Sequence, residues 1–370
     1  MLTPEGCRAR QARLVEKLAE RRLDAAVISH RLEIYYFTGL LLPDLPAPYP
    51  ACLYVGADGE TWLACHLEDG EAQVDRRLSY PWNVGYTLSP DMGEELARVA
   101  GDAFGEKSGA RRWGCQAEFM PQRLAQAADG VEWVAVDDLL YDLQQRKDPD
   151  EIEALRGAVL TDLAAYDGAR AAIAPGVKEL EVLAAAQRAA HLHAGEKVFH
   201  DGDYACGEMG GFARDRQVED GELYVIDAWT IRRGYWADLC RTFSVGAPTD
   251  LQQSIFDHIK AFHLQVPQYL RPGRDGSECF EAMDAHIRQH PKLADVGLVH
   301  HAGHNVGLRA HQMPDLNRAR GGTLEVGNVV SVEPGAYIPE ARLGVRLENM
   351  YLITAEGCEN LSEYPMELTP

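Results

Sequence analysis

No stretch of this sequence stays apolar for long enough to cross a bilayer. The longest apolar run, around residues 35–42, falls far short of the roughly 20 residues that a spanning helix needs. Positive charge is scarce as well: 36 Lys and Arg stand against 57 Asp and Glu, a formal charge of -21. Nucleic acid and anionic membrane would both repel such a chain, so neither is expected as a partner. Paired cysteines are missing too. The eight cysteines, at 7, 52, 65, 115, 206, 240, 279 and 358, form no Cys-x-x-Cys. That excludes the usual zinc or disulfide framework and predicts buried, reduced thiols in a cytoplasmic protein. Met1–Glu5 leads into a charged amphipathic stretch rather than an apolar h-region, so no secretory signal is expected.

What is present suits a globular chain: 46% of the 370 residues are hydrophobic and 25% charged, enough for a large core without staples. At about 100–200 residues per domain, two domains are expected. Thr3-Pro4 predicts a helix start running through Leu14 and Leu18. Short apolar runs follow at 25–29, 52–56, 61–66, 113–116 and 131–136. The second and third flank Ala57-Asp58-Gly59-Glu60, a hairpin turn. Strands alternating with helices predict an α/β domain over residues 1–145.

The boundary is marked by Asp148-Pro149-Asp150-Glu151, a capping box with proline at the first helical position. Ile152, Leu155, Val159, Leu163, Tyr166 and Ile173 recur at helical spacing until Pro175-Gly176. A second helix is expected from Glu179 to His193, and a strand-rich remainder completes a domain over 146–370.

The chemistry lies in two hairpins. Glu222–Trp229 is apolar on both alternating faces, the mark of a buried strand, yet carries Asp227 at its centre. Tyr235–Val245 returns with Asp238. A turn centred between Arg232 and Arg233 predicts that the two aspartates face each other directly, about 4.5–5.5 Å apart at Cβ. Val329–Gly335 carries Glu333, and Gly344–Met350 returns with Glu348 at comparable depth. Arg346 falls on the face of Glu348, where it can orient a carboxylate. One such acid alone most often points to solvent; four in apolar strands repel unless protonated or neutralised by cations. Oxygen ligands with one imidazole suit manganese, cobalt or zinc, and bridging carboxylates suggest two ions. Between the hairpins, His300, His301, His304 and His311 sit on a glycine-punctuated strand. A structural role is expected for His301, as for His191, His193, His200, His258, His263, His286 and His290.

These residues carry a resemblance. Asp227, eleven residues to Asp238, His300-x-x-Gly-His304, Val332-Glu333-Pro334-Gly335 and Val345-Arg346-Leu347-Glu348 resemble the pita-bread metallopeptidases: methionine aminopeptidase, aminopeptidase P and prolidase. Leu23–Val27, Tyr35–Gly39 and Arg146-Lys147 resemble the creatinase-type N-terminal domain and linker of that branch. The resemblance implies an α/β N-terminal domain followed by an α+β pita-bread (creatinase/aminopeptidase) catalytic domain. It implies that Asp227 holds one divalent ion, that His304 and Glu333 hold the other, and that Asp238 and Glu348 bridge both. A metal-bridging hydroxide would attack, Glu333 would transfer the proton, and His300 and His311 would contact the substrate carbonyl. Arg346 would brace Asp227.

One position departs from the pattern. The family places a histidine seventeen residues before the first aspartate ligand, and position 210 here is Gly. Tyr204 and Arg214 are candidate replacements, although a structural role is expected for either. The expected activity is hydrolysis of Xaa-Pro dipeptides with two ions, manganese first and cobalt or zinc as alternatives. Aminopeptidase P action on Xaa-Pro-Xaa peptides is the alternative, and a non-catalytic binding protein the third reading. Methionine aminopeptidase is disfavoured by the N-terminal domain, and metal-free creatinase by the intact ligand set. Arg309 or Arg342 is expected to capture a dipeptide's carboxylate. The resemblance also implies a homodimer, with the Pro43–Pro50 loop near the partner.

Overall fold

The Thr3 hydroxyl accepts from the Gly6 amide at 3.0 Å, and Pro4 fills the first helical position. Helix α1 (Pro4–Glu20) therefore begins where its capping signal stands. These details come from a computed structural model describing residues 1–42, 50–66, 70–80, 91–107 and 111–370. Most of the proline-rich loop at 43–50 lies outside the described residues. The chain divides into two compact units, Met1–Gln144 and Gln145–Pro370.

In the first unit, β1 (Ala25–Ile28), β2 (Cys52–Gly56), β3 (Thr61–Cys65), β4 (Arg76–Ser79), β5 (Arg112–Cys115) and β6 (Glu132–Ala135) form one sheet. Its order is β4-β3-β2-β1-β5-β6. β2 and β3 make the expected antiparallel hairpin, and β1, β5 and β6 run parallel. Helices α2 (Arg31–Thr38), α3 (Met92–Gly105), α4 (Gln122–Ala127) and α5 (Asp137–Gln145) complete the α/β alternation. Trp62, Phe104 and Trp113 fill the core beneath α3.

In the second unit, the Glu151 carboxylate accepts from the Asp148 amide at 3.0 Å and starts α6 (Pro149–Ala172); α7 (Glu179–Ala194) follows. Strands β7 (Phe199–Asp203), β8 (Leu223–Arg232) and β9 (Tyr235–Ser244) form an antiparallel sheet. α6 packs on it, and the Tyr166 hydroxyl accepts from the Ala228 amide and has the carbonyls of Ile226 and Leu239 within reach of its one proton.

The remainder is less strand-rich than its sequence suggests. It contains α8 (Asp250–Phe262), α9 (Val266–Tyr269) and α10 (Gly276–Ile287). Reciprocal caps at Thr249/Gln252 and Asp275/Glu278 start the two longer helices. β10 (His304–Asn305), β11 (Gln312–Asp315), β12 (Val329–Val332), β15 (Asn349–Ile353) and β16 (Cys358–Asn360) form a sheet in the order β11-β10-β12-β15-β16. β13 (Gly335–Ile338) and β14 (Leu343–Arg346) form a separate ribbon. A core of α8 and α10 side chains, including Ile255, Phe256, Ile259 and Met283, meets Val330, Val332, Val345 and Leu347 from the strands. This apolar layer backs the acids.

All eight cysteines are free, seven of them buried. Among the described residues no helix is long and apolar enough to cross a membrane.

Candidate metal centre

The first hairpin places its aspartates differently from the sequence expectation. Arg232 pairs with Tyr235, so the turn is the two residues Arg233-Gly234, with φ of 50° and 85°. Two successive positive φ values match the twist of a tight hairpin, and glycine takes the second at little cost. Asp227 therefore pairs with Cys240, and Asp238 with Trp229. The aspartates are diagonal neighbours, not directly opposed. Because side chains alternate along a strand, Asp227 and Trp229 still share one face with Trp236 and Asp238.

In the second hairpin, Val332 pairs with Asn349 and Gly335 with Arg346. One register runs through both ladders, placing Glu333 opposite Glu348 in the break between them. An isolated bridge from Cys240 to Glu348 joins the hairpins, the Glu348 amide donating to the Cys240 carbonyl at 2.9 Å. Glu348 is thus brought alongside Asp227.

The histidines come from a turn and from β10. Gly303, at φ 148°, presses so closely on β12 that a Cβ there would lie 2.0 Å from the Ser331 carbonyl. That contact delivers His304 to the acids: its Nε2 stands 3.6 Å from Asp238 Oδ2 and 3.8 Å from Glu333 Oε1. The His311 ring stacks on His304 with centroids 3.6 Å apart.

The nominated metal ligands, the two histidines expected to contact the carbonyl and the bracing arginine line one cavity of about 400 Å³: Asp227, Asp238, His300, His304, His311, Glu333, Arg346 and Glu348. Asp203, His301, Trp229 and Trp236 line it as well. Tyr204 and Arg214 do not replace a side chain at Gly210. Tyr204 is buried against His200, 2.8 Å from its Nε2, and Arg214 is paired with Glu179 at 2.7 Å. Arg309 and Arg342 are not among the lining residues either, and Arg342 donates to Glu222 at 2.7 Å.

Three participants escaped the sequence reading. Asp203, opposite Asp227 across β7 and β8, accepts from Arg346 at 3.0 Å. The Tyr337 hydroxyl accepts from Arg346 Nη1 at 3.1 Å and lies 3.1 Å from His300 Nε2. His301, expected to be structural, has Nδ1 3.1 Å from Glu333 Oε1. The available signal was that these residues share strand faces or neighbours with the nominated ones.

Burial dominates the electrostatics. It pushes Asp238 and Glu348 well above the usual carboxylate range, and neighbouring acids push them further. Asp227 rises to about 7 from burial, although the Arg346 guanidinium 2.5 Å away opposes the shift. Glu333 goes the other way: burial raises it, but His301, His300 and His304 together bring it to about 2. Burial holds His304 down at about 3, a neutral imidazole with Nε2 turned to the acids.

Divalent ions fit this donor set. Asp238, His304 and Glu348 each offer a ligand atom, all within 4.8 Å of one another. Glu333 Oε1 is buried, and its 3.1 Å contact with His301 Nδ1 is an ion-pair approach without hydrogen-bond geometry. Removing one cation from such a cluster would leave like charges facing each other out of water, which is costly.

The model of metallopeptidase family M24 matches residues 153–355, and that of the creatinase/prolidase N-terminal domain matches residues 10–145. The chain is similar to the Xaa-Pro dipeptidase of Pyrococcus horikoshii, 31% identical over 96% of this chain and 97% of the relative. The Pyrococcus furiosus protein of that name is 28% identical over 97% and 99%. Among solved structures, the prolidase from Pyrococcus horikoshii OT3 matches with TM-score 0.78 and 24% identity, covering 97% of this chain and 99% of that one. Aminopeptidase P from E. coli matches with TM-score 0.77 and 20% identity, covering 98% and 95%.

Proposed function

Because the chain belongs to metallopeptidase family M24, we propose that it hydrolyses the Xaa-Pro bond of dipeptides, using two divalent ions. Manganese is the first candidate, with cobalt and zinc as alternatives. One observation carries the reading: three buried carboxylates (Asp238, Glu333 and Glu348), the partly buried Asp227 and one neutral imidazole converge on a single cavity in a chain whose full-length relatives are named Xaa-Pro dipeptidases.

Asp227 would hold one ion, His304 and Glu333 the other, with Asp238 and Glu348 shared. Two ions held there would supply an activated water and polarise the scissile carbonyl. Glu333, anionic beside His301, accepts the proton of the attacking water and passes it to the leaving proline nitrogen. His311 makes no hydrogen bond among the described residues and donates to the carbonyl oxygen as charge develops. His300 is engaged at both nitrogens: Nδ1 lies 2.7 Å from the His301 carbonyl, and Nε2 faces Tyr337. To contact the same carbonyl it would exchange the Tyr337 hydroxyl for substrate and carry a proton on Nε2. Arg346 favours the ionised form of Asp227 and orients it. Trp229 and Trp236 supply an apolar wall suited to the substrate's side chain or proline ring.

Aminopeptidase P activity is the second reading, and one feature favours it. Arg346 is the arginine that lines the cavity, and it is already bound to Asp203 and Asp227. A dipeptide's carboxylate would thus find no uncommitted arginine there among the described residues. The test is to strip the protein with chelator, restore manganese, and assay a Xaa-Pro dipeptide beside a Xaa-Pro-Xaa tripeptide. Cleavage of the dipeptide supports the first reading; cleavage of the tripeptide alone moves the assignment to the second. If neither is cleaved with metal bound, a binding role replaces both. A cytoplasmic homodimer belongs to the same proposal, and a monomer by light scattering at micromolar concentration would contradict it.

A further inference from the structure

Asp203 is a charged group in the cavity that the ligand set does not use. It ends β7, directly opposite Asp227 in the ladder. β7 is held tightly against β8 there: a Cβ on Gly202 would fall 2.3 Å from the Asp227 carbonyl oxygen. The loop after it is pinned as well, with the amides of Tyr204 and Ala205 both donating to the Gly211 carbonyl. The Asp203 side chain therefore has a fixed origin. Its Oδ2 accepts from Arg346 Nη2 at 3.0 Å, the same nitrogen that lies 2.5 Å from Asp227 Oδ2. Its Oδ1 makes no hydrogen bond among the described residues, and the side chain is 30% exposed.

The space for this carboxylate is made by Gly210. A Cβ at that position would lie 2.2 Å from Asp203 Oδ2 and 3.0 Å from its Cγ. Any side chain at 210 would displace the acid. The absence of a side chain at 210 and the presence of an acid at 203 are two halves of one arrangement.

We propose that Asp203 Oδ1 receives the α-ammonium group of the residue whose carbonyl is cleaved, making Asp203 a determinant of specificity for a free N-terminus. This deepens, and rests on, the Xaa-Pro reading. An Xaa-Pro substrate carries its ammonium two bonds from the scissile carbonyl carbon. That carbon must sit at the centre formed with Asp227, beside which Asp203 stands. An ammonium donates three hydrogen bonds and seeks an anionic acceptor. Oδ1 is such an acceptor, without a hydrogen bond among the described residues and borne on a side chain that lines the cavity.

The test compares alanyl-proline with propionyl-proline, the same molecule without its amine, using the manganese-loaded full chain and its Asp203→Asn and Gly210→Ala variants. Asparagine keeps an oxygen for Arg346 but removes the charge; the Gly210 methyl would push the carboxylate aside. The wild type is expected to prefer the amine-bearing substrate in kcat/KM, and both variants to reduce that preference by about 10–100-fold, mainly through KM. Equal losses on both substrates, leaving the ratio intact, would assign Asp203 a merely structural role and overturn the proposal. If the wild type cleaves neither compound, the Xaa-Pro reading fails, and calorimetric binding of alaninamide decides separately. Weaker binding to Asp203→Asn than to wild type supports the ammonium site; equal binding refutes it.

Discussion

Arg241 Nη1 donates to the backbone carbonyl of Glu348 at 2.5 Å, from behind the carboxylate cluster. The same guanidinium reaches the Cys240 carbonyl, the Asn349 side chain and the Tyr364 carbonyl at 2.8–3.1 Å. It is fully buried and ties the first hairpin to the segment between β14 and β15 that carries Glu348. Arg241→Met should leave several acceptors unsatisfied and cost about 2–4 kcal/mol by urea unfolding, with weaker metal binding. Stability and metal affinity equal to the wild type's would contradict this role.

Arg346 acts from the cavity side. Burial alone would push its pKa down, but Asp227 and its other anionic neighbours keep it charged. Replacement by Met leaves Asp227 and Asp203 without their shared cation. Metal affinity should fall about 10–100-fold, as for other groups that orient ligands. Calorimetric titration with manganese checks it, and unchanged affinity would show that Asp227 does not depend on this brace.

His311→Ala should lower kcat on a Xaa-Pro dipeptide by about 100–1,000-fold with little change in KM, because the N–H it gives is needed mainly as charge develops. Metal content should be unaltered. A change confined to KM would make His311 a ground-state contact instead.

His263 lies outside the cavity, its Nε2 3.1 Å from the Leu347 carbonyl and its Nδ1 3.1 Å from the Tyr351 hydroxyl. Burial first, then Arg241, lowers its pKa to about 3. The folded protein therefore holds it neutral while the unfolded chain binds a proton below about 6.5. Between those values the unfolded state carries more protons, so stability is lost as pH falls, by at most about 1.4 kcal/mol per pH unit. Unfolding free energies from pH 6.5 to 4 should fall less steeply in His263→Gln. Identical slopes would mean that the ring titrates normally.

The parts legible in the sequence are those fixed by local signals. Thr3-Pro4 starts a helix because the Thr3 hydroxyl caps it, Asp148-Pro149 because Glu151 reaches back to the Asp148 amide, and Ala57–Glu60 turns the chain between β2 and β3. The acids were legible because carboxylates are rare inside apolar strands. Their register was not. Arg232-Arg233-Gly234 offers two possible turn centres, and the pair of left-handed conformations at Arg233 and Gly234 decides between them. Asp203 and Tyr337 were missed because neither stands out in its own segment. Both acquire meaning only when β7 meets β8 and β13 folds beside His300. Helices α8 and α10 carried capping boxes at Thr249 and Asp275 that were overshadowed by the strands around them.

The most direct test of the metal centre is to count ions. Wild type, Asp238→Ala and Glu348→Ala, each stripped and reloaded with manganese, would be analysed for metal per chain by elemental analysis and assayed in parallel. Two ions per chain are expected in the wild type, with activity and occupancy lost together in both variants. Two ions retained in either variant, or full activity in the stripped wild type, would contradict the account.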